Sequence, residues 1–392
     1  MKKISDGIFY CGIHDKTRKV FDQLVPLTQG TTYNSYLVQG SEKTALIDTM
    51  YAKFSEQYLD MLASSGAKID YIISNHAEPD HSGTIPALLD IFPEAQVYCS
   101  AKCAENLVNM LGVSLTHIHV VADGEELSLG GRTLKFILAP WVHWPDTMFT
   151  QIVEDNILFT CDYFGAHYTA NELWADCSAE LVLAAKRYYA EIMMPFAKFC
   201  VKYLAKVREL SPNMVLPSHG PIYDKQGVAF IENLYEEWTN EKPLRKVILA
   251  YVSMYDNTLL MSNYLENALL SRGVAVAKAD LMETDEGELA MELVDSAGVV
   301  FGTSMVLTGP HPKTIYAAYL ANILRPKMKF GAVIGSFGWG GNLTAPIEAM
   351  FTLTKPKMLE PVIAKGRPTD DDFKKLDLLA DSIVEFLDNQ IK

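Results

Sequence analysis

Tyr71-Ile72-Ile73-Ser74-Asn75-His76-Ala77-Glu78-Pro79-Asp80-His81-Ser82-Gly83 decides how the first part of the chain is read. A short apolar strand runs straight into His76, Glu78, Asp80 and His81, four potential metal ligands within six positions. Packing does not account for that density. A strand ending this way sets the four side chains on a loop at a sheet edge, where metal sites are built. Pro79 stiffens the loop, and Gly83 allows a tight exit into a helix beginning near Thr84.

Working outward, single candidates stand at similar strand ends: His143 in Pro140-Trp141-Val142-His143, Asp162 after Leu158-Phe159-Thr160-Cys161, and His219 after Val215-Leu216-Pro217-Ser218. One His or Asp at a strand end is ordinarily a cap or a surface residue. Three of them beside the loop cluster point to one shared metal pocket. His167 lies five residues beyond Asp162 and is open to two readings, a hydrogen-bond or proton donor behind the ligands, or loop packing. His117 and His119 share a strand face with no carboxylate beside them and are expected to be solvated. His14 and His311 read as loop residues, and Tyr188 and Tyr189 as core.

Short strands at 36–38, 45–48, 71–74 and 133–137 alternate with helical periodicity at 55–64, 84–91, 101–111 and 179–209. This is the pattern of a two-sheet α/β sandwich with helices outside. The polar, proline-containing stretch Trp238-Thr239-Asn240-Glu241-Lys242-Pro243 marks a boundary, giving domains 1–243 and 244–392. Beyond it, strands at 246–252, 274–278, 297–302, 329–335 and about 359–364 alternate regularly with helices. Such a segment reads as a doubly wound parallel sheet of flavodoxin-like size.

Three strand-end loops of that second domain carry ligand-binding chemistry. Ser253-Met254-Tyr255-Asp256-Asn257-Thr258 joins the first strand to the first helix, and its hydroxyls, amide and helix N-terminus form a phosphate cradle. It lacks the lysine of a Walker loop and the glycines of a dinucleotide turn. The loop resembles the flavodoxin phosphate loop, from which Asp256 departs, since a small residue is commoner there and a carboxylate near phosphate is unfavourable unless it points outward. Thr303-Ser304-Met305 follows the third strand. Ser336-Phe337-Gly338-Trp339-Gly340 follows the fourth, with glycines for close approach to a planar ring and aromatic surfaces beside it. In an open parallel sheet these loops meet at the carboxyl ends of the strands.

The bulk properties narrow the function. With 48 acidic and 34 basic residues, the formal charge of −14 argues against nucleic acid as a partner, because phosphate is repelled. No apolar run reaches the roughly 18 residues needed to span a bilayer, and the first residues lack a signal-peptide core. A cytoplasmic, soluble protein is expected. The six cysteines contain no Cys-x-x-Cys pair, so a disulfide frame, zinc ribbon or fused rubredoxin-type centre is not expected.

His-x-Glu-x-Asp-His, followed by a His, an Asp and a last His, resembles the ligand order of the metallo-β-lactamase superfamily, with Glu78 where that superfamily usually has His. The variant, together with the flavodoxin-like loops, resembles the flavodiiron proteins over nearly the whole chain. The resemblance implies a metallo-β-lactamase-like αββα sandwich followed by a flavodoxin-like sheet that binds FMN. It implies that His76, Glu78 and His143 hold one iron, Asp80, His81 and His219 the other, and that Asp162 bridges them. In some members the residue matching His81 turns away from the metal. The added carboxylate is a hard ligand that suits iron. The implied activity is that of an oxidoreductase: FMN passes electrons to two irons, which reduce dioxygen to water, nitric oxide to nitrous oxide, or both. The implied partners are a separate donor such as rubredoxin or a reduced deazaflavin, and a second copy paired head to tail, as a homodimer or a dimer of dimers. The rival readings are a dinuclear zinc hydrolase with an accessory flavodoxin-like domain, and a flavodoxin-like electron carrier on a vestigial metal domain.

Overall fold

Leu37 and Val38, Leu46 and Ile47, and Ile72 and Ile73 are neighbours in sequence, point to opposite faces of their strands, and are all buried. Strands apolar on both faces need cover on both. The computed structural model, which describes residues 1–169 and 172–390, provides it. Val38, Ile47 and Ile73 meet Phe136, Met148, Phe159 and Leu216 of a second sheet. Leu37, Leu46 and Ile72 meet Tyr58, Leu62, Leu88 and Leu107 of covering helices. Each fully buried side chain of this size contributes about 1.5–3 kcal/mol. A one-residue register slip would forfeit many at once, so the strand ends are firmly placed.

The chain divides into two units, Met1–Thr239 and Asn240–Lys392. In the first, one sheet runs Lys2–Ser5, Ile8–Tyr10, Tyr36–Gln39, Thr44–Ile47, Tyr71–Ser74, Gln96–Cys99 and Ile118–Val120 in spatial order. The other runs Glu126–Ser128, Thr133–Leu138, Met148–Ile152, Ile157–Cys161 and Met214–Pro217. Helices lie outside the pair, which makes an αββα sandwich. Tyr71–Ser74 is parallel to both its neighbours, and Ile157–Cys161 is parallel to Met214–Pro217. The carboxyl ends of these strands therefore emerge side by side. The Met148 amide donates to the Asn75 carbonyl at 2.9 Å and ties the edge of one sheet to the other.

The expected helical run at 179–209 is interrupted. Ala179–Tyr188 gives way to a π turn at Tyr189–Met193 and a 3₁₀ turn at Met194–Phe196, before Ala197–Leu210 resumes. Pro195 supplies the reason, since it has no N–H for the ladder and its ring crowds the preceding turn. His14 lies on the strand Ile13–Asp15 rather than in a loop, and its strand pairs with Thr31–Tyr33. His119 has a carboxylate beside it after all, Glu125 at 2.7 Å.

In the second unit Leu244–Tyr251 is flanked by Ala275–Asp280 on one side and Ser296–Val306 on the other, with Phe330–Phe337 next. All these pairings are parallel. The spatial order second–first–third–fourth, closed by the fifth strand, is the flavodoxin-like winding. That fifth strand is split into Lys357–Met358 and Val362–Lys365, both on Phe330–Phe337, with Pro361 between them. Asn257–Ser271 and Asp370–Gln390 pack on one face through Met261, Leu265, Leu379 and Ile383. Glu286–Leu293 is held by a complete capping box between Asp285 and Glu288.

Candidate functional site

The loop after Tyr71–Ser74 is pinned before any ligand is considered. The buried Asp48 carboxylate accepts from the Asn75 amide at 2.8 Å and from its side chain at 3.0 Å. Glu78 precedes the short helix Pro79–Ser82, whose first position is proline, as suits a site with an orphan N–H. Gly83 has an ordinary φ of −60°. Its requirement is space: an added Cβ would stand 2.4 Å from the Pro79 carbonyl oxygen and 2.9 Å from the Ala52 nitrogen.

The structure gathers all seven expected ligands into one pocket, in two groups: His76, Glu78 and His143 with Asp162, and Asp80, His81 and His219. Asp162 stands between them. Its Oδ2 lies 3.3 Å from His143 Nε2 and 3.7 Å from His76 Nε2, while its Oδ1 lies 3.0 Å from His81 Nε2 and 3.6 Å from His219 Nε2. Glu78 Oε2 completes the first group at 3.1 Å from His76 and 3.3 Å from His143. Asp80 completes the second at 3.2 Å from His219 and 3.4 Å from His81. His81 turns into the pocket.

Both carboxylate oxygens of Asp80 and of Asp162, and both ring nitrogens of His81, are buried without a hydrogen bond. A neutral buried polar atom left this way costs about 1–3 kcal/mol, and a charged one more. Burial of that many orphaned donor atoms around one point fits a pair of cations, and the mixture of imidazole and hard carboxylate fits iron.

Charges inside the pocket act strongly on one another. Burial alone would depress the His81 imidazole, but Asp80 and Asp162 raise it to about 10. His143 is likewise lifted against burial by Asp162 and Glu78, to about 9. Burial pushes the Asp162 carboxyl up, and the His81 and His143 charges outweigh it and hold it well below the usual range. The imidazoles and carboxylates of the site thus favour one another's charged forms.

Several contributing residues went unmarked in the sequence. Asp146, three positions after His143, accepts from His76 Nδ1 at 3.0 Å and from the Ala77 amide at 2.9 Å, which fixes the ring so that Nε2 faces the pocket. The Thr32 carbonyl does the same for His219, at 2.5 Å from its Nδ1. His167 is buried against the ligands, its Nδ1 2.9 Å from Thr31 Oγ1 and its ring 5.1 Å from that of His219. Its Nε2 is buried with no partner. Burial first, and then the charge of His219, holds His167 well below its usual range. Tyr188 is core, as expected, yet its ring is also 4.9 Å from His167. Acid or amide residues just after a ligand His were the available signal for Asp146. Nothing local marks Thr31 or Thr32.

In the second unit the loop at 253–258 meets two strand ends where the winding reverses. Thr303-Ser304-Met305 lies within Ser296–Val306 rather than in a loop after it, because that strand runs on beyond Gly302, and Ser336 and Phe337 end Phe330–Phe337 before the loop at 338–340. The Met254 amide donates to Ser304 Oγ at 3.1 Å, and the Leu259 amide to Ser253 Oγ at 3.2 Å. Thr258 Oγ1 lies 3.2 Å from Ser304 Oγ and 3.4 Å from Ser336 Oγ. Asn257 opens the helix, and Asp256 precedes it at φ +61°, exposed and making no side-chain cap. The Asn257 amide donates to the Tyr255 carbonyl at 2.9 Å and the Leu259 amide to Ser253, so within the first turn the Thr258 amide is the one facing an anion at this end. Thr303 is buried, and Met305 and Phe337 are half-buried. Tyr255 and Trp339 are 83% and 63% exposed, unusual for rings of that size. A Cβ added at Gly338 or Gly340 would meet nothing within 4 Å. Hydroxyls and a helix N-terminus beside open space with flat apolar rings fit a phosphorylated planar cofactor such as FMN.

Residues 31–220 match the model of the ODP family beta lactamase. A nitric oxide reductase of Moorella thermoacetica is 33% identical over 375 residues, 93% of this chain and 92% of that protein. The structure of rubredoxin oxygen:oxidoreductase from Desulfovibrio gigas superposes with a TM-score of 0.94 at 30% identity, covering 100% of this chain and 99% of the other. The flavodiiron protein of Giardia intestinalis gives 0.90 at 26% identity, covering 98% and 96%.

Proposed function

The chain belongs to the flavodiiron proteins, and from that premise we propose that it is the oxidoreductase that reduces dioxygen, nitric oxide or both at a diiron centre supplied through FMN. The observation that carries the reading is Asp162, whose two oxygens are orphaned and each face a different ligand group.

His76, Glu78 and His143 would hold one iron and Asp80, His81 and His219 the other, with Asp162 between. The inward turn of His81 supports its place in that set. Bound there, the iron pair and FMN would supply the redox chemistry of gas reduction. The protein's own part is geometry and protons. Asp146 and the Thr32 carbonyl lock the tautomers of His76 and His219. Burial of His76, His81, Asp162 and His219 excludes bulk water from the ligand shell. His167, within hydrogen-bond reach of Thr31 at Nδ1, keeps a buried, unpartnered Nε2 beside the ligands, where it can donate or accept a hydrogen bond according to its tautomer. Ser253, Asn257, Thr258, Ser304 and Ser336 would hold the FMN phosphate. Met254, Tyr255, Thr303, Met305, Phe337, Gly338, Trp339 and Gly340 would line the rest of the cofactor.

The division after Thr239 supports a diiron domain at 1–243 and an FMN domain at 244–392. Rubredoxin, named with the Desulfovibrio protein, and a reduced deazaflavin are the candidate donors. A head-to-tail dimer, or a dimer of dimers, would bring the flavin of one chain to the iron of another. No helix among the described residues is long and apolar enough to cross a membrane, in keeping with a cytoplasmic protein.

The test is metal and flavin analysis of purified protein, followed by anaerobic stopped-flow oxidation of the reduced form by dioxygen and, separately, by nitric oxide. About two irons and one FMN per chain are expected. Stoichiometric zinc without iron would turn the reading to the hydrolase. Loaded protein inert to both gases would remove the proposed reaction.

A further inference from the structure

Thr32, whose carbonyl holds His219, is paired across the strands with His14, and both line a small pocket with Gly220 and Pro221. His14 also lines a cavity of about 330 Å³ with Lys2, Tyr10, Lys16, Met61 and Leu173. Lys16 in turn borders a second cavity, of about 400 Å³, which adds Lys19 and Tyr168. Each is within the size range of small-molecule sites.

The charge here runs against the rest of the molecule. The chain carries −14 overall, yet Lys2, Lys16 and Lys19 have no ion-pair or hydrogen-bond partner for their ammonium groups among the described residues. Lysines elsewhere are commonly paired, as Lys3 with Asp6, Lys43 with Asp70 and Lys102 with Glu105. Burial, and then the fields of Lys2 and Lys16, depress the His14 imidazole, so those two charges converge on the cavity. Glu180 borders the second cavity and Glu172 the small pocket, both exposed. Three ammonium groups against two rim carboxylates leave the region positive. Unpaired cations gathered around a concave surface favour an anion. Their spread over two adjoining cavities suits more than one phosphate. Tyr10, Met61 and Leu173 offer an apolar wall beside them.

We propose that these cavities bind a ligand carrying a pyrophosphate group, with its phosphates on Lys2, Lys16 and Lys19 and any flat or apolar part against Tyr10, Met61 and Leu173. The site is separate from the flavin loops. Through His14 and Thr32 it adjoins the support of His219. Binding itself does not depend on the iron assignment.

The experiment is isothermal titration of the FMN- and metal-loaded protein with inorganic pyrophosphate and, separately, with ADP. One saturable site per chain is expected for both. Lys2→Gln with Lys16→Gln should weaken it at least tenfold with iron and FMN contents unchanged, whereas Lys102→Gln should leave it as it was. Tighter binding of ADP identifies a nucleotide as the ligand. Equal affinities identify the pyrophosphate group alone. No saturable binding of either compound, or binding undiminished in the double variant, overturns the proposal, since the heat would then come from the metal or flavin site.

Discussion

The metal pocket and the flavin loops solve opposite problems. The first buries ionisable side chains so deeply that the ligating atoms of Asp80, His81 and Asp162 meet one another as close charge pairs rather than in well-formed hydrogen bonds. The second pairs its hydroxyls with one another, as Thr258 does with Ser304 and Ser336, and leaves its aromatic rings in solvent. The metal pocket is therefore incomplete as a set of charges, whereas the flavin cradle is incomplete as a surface. A buried charge is costly to leave unmatched, while an exposed ring costs little. The two sites should differ in how strongly each depends on single residues, and on pH.

The sharpest break is at Asp162. Asp162→Ala removes the carboxylate whose two oxygens lie within 3.0–3.7 Å of imidazoles in both ligand groups, and iron content and gas reduction should fall by more than the roughly 10–100-fold typical of supporting residues. FMN should remain bound. Iron and flavin measured on the same sample check this, and retention of two irons would show that the two groups hold metal independently.

Next in size is Asp146→Asn, which leaves the shape intact but weakens the hold on His76 Nδ1. A loss of about 10–100-fold in metal affinity or activity is expected, again with flavin untouched. Chelator-competition titration reads it out. An unchanged affinity would place the orientation of His76 in packing alone.

Proton dependence sharpens the contrast further. Metal takes neutral imidazole, so loading the apoprotein at neutral pH must displace protons from His81, raised to about 10, and His143, raised to about 9. Apparent metal affinity should rise with pH up to about 9, by roughly tenfold per pH unit for each proton displaced. The same shifts act on folding of the metal-free protein. Because the folded-state values are raised, the stabilisation is complete below the unfolded value near 6.5 and is lost as pH rises through about 9 to 10. Denaturant unfolding of apoprotein at pH 6.5 and pH 9.5 should show the fall. The hydroxyl cradle has no such handle between those limits, and flavin affinity should stay nearly flat.

The smallest effect belongs to the cradle itself. Ser304→Ala removes the acceptor for the Met254 amide and a neighbour of Thr258, and should weaken FMN by about 1–2 kcal/mol, roughly tenfold. Fluorescence titration of flavin into the deflavinated variant measures this. Loss of iron in the same variant would mean that the two sites are not as separable as their construction suggests.

What the sequence determined by itself was local. Apolar runs such as Tyr71–Ser74 encode a strand, the dense loop after it encodes ligand chemistry, and the switch in periodicity after Pro243 encodes a second α/β unit. These signals survive because each depends on residues a few positions apart. What only the tertiary structure decided was long-range or rotameric. Whether His81 turns inward, and how Asp162 divides its oxygens, depend on side-chain torsions that no spacing records. The partnership of His219 with Thr32 spans 187 residues, and that of His76 with Asp146 spans 70. The break at Pro195 was masked by apolar periodicity continuing on both sides of it, and the carboxylate beside His119 comes from a turn six residues away. The physical reason is the same in each case: the sandwich brings strand ends together from distant parts of the chain, and burial there selects one rotamer out of several.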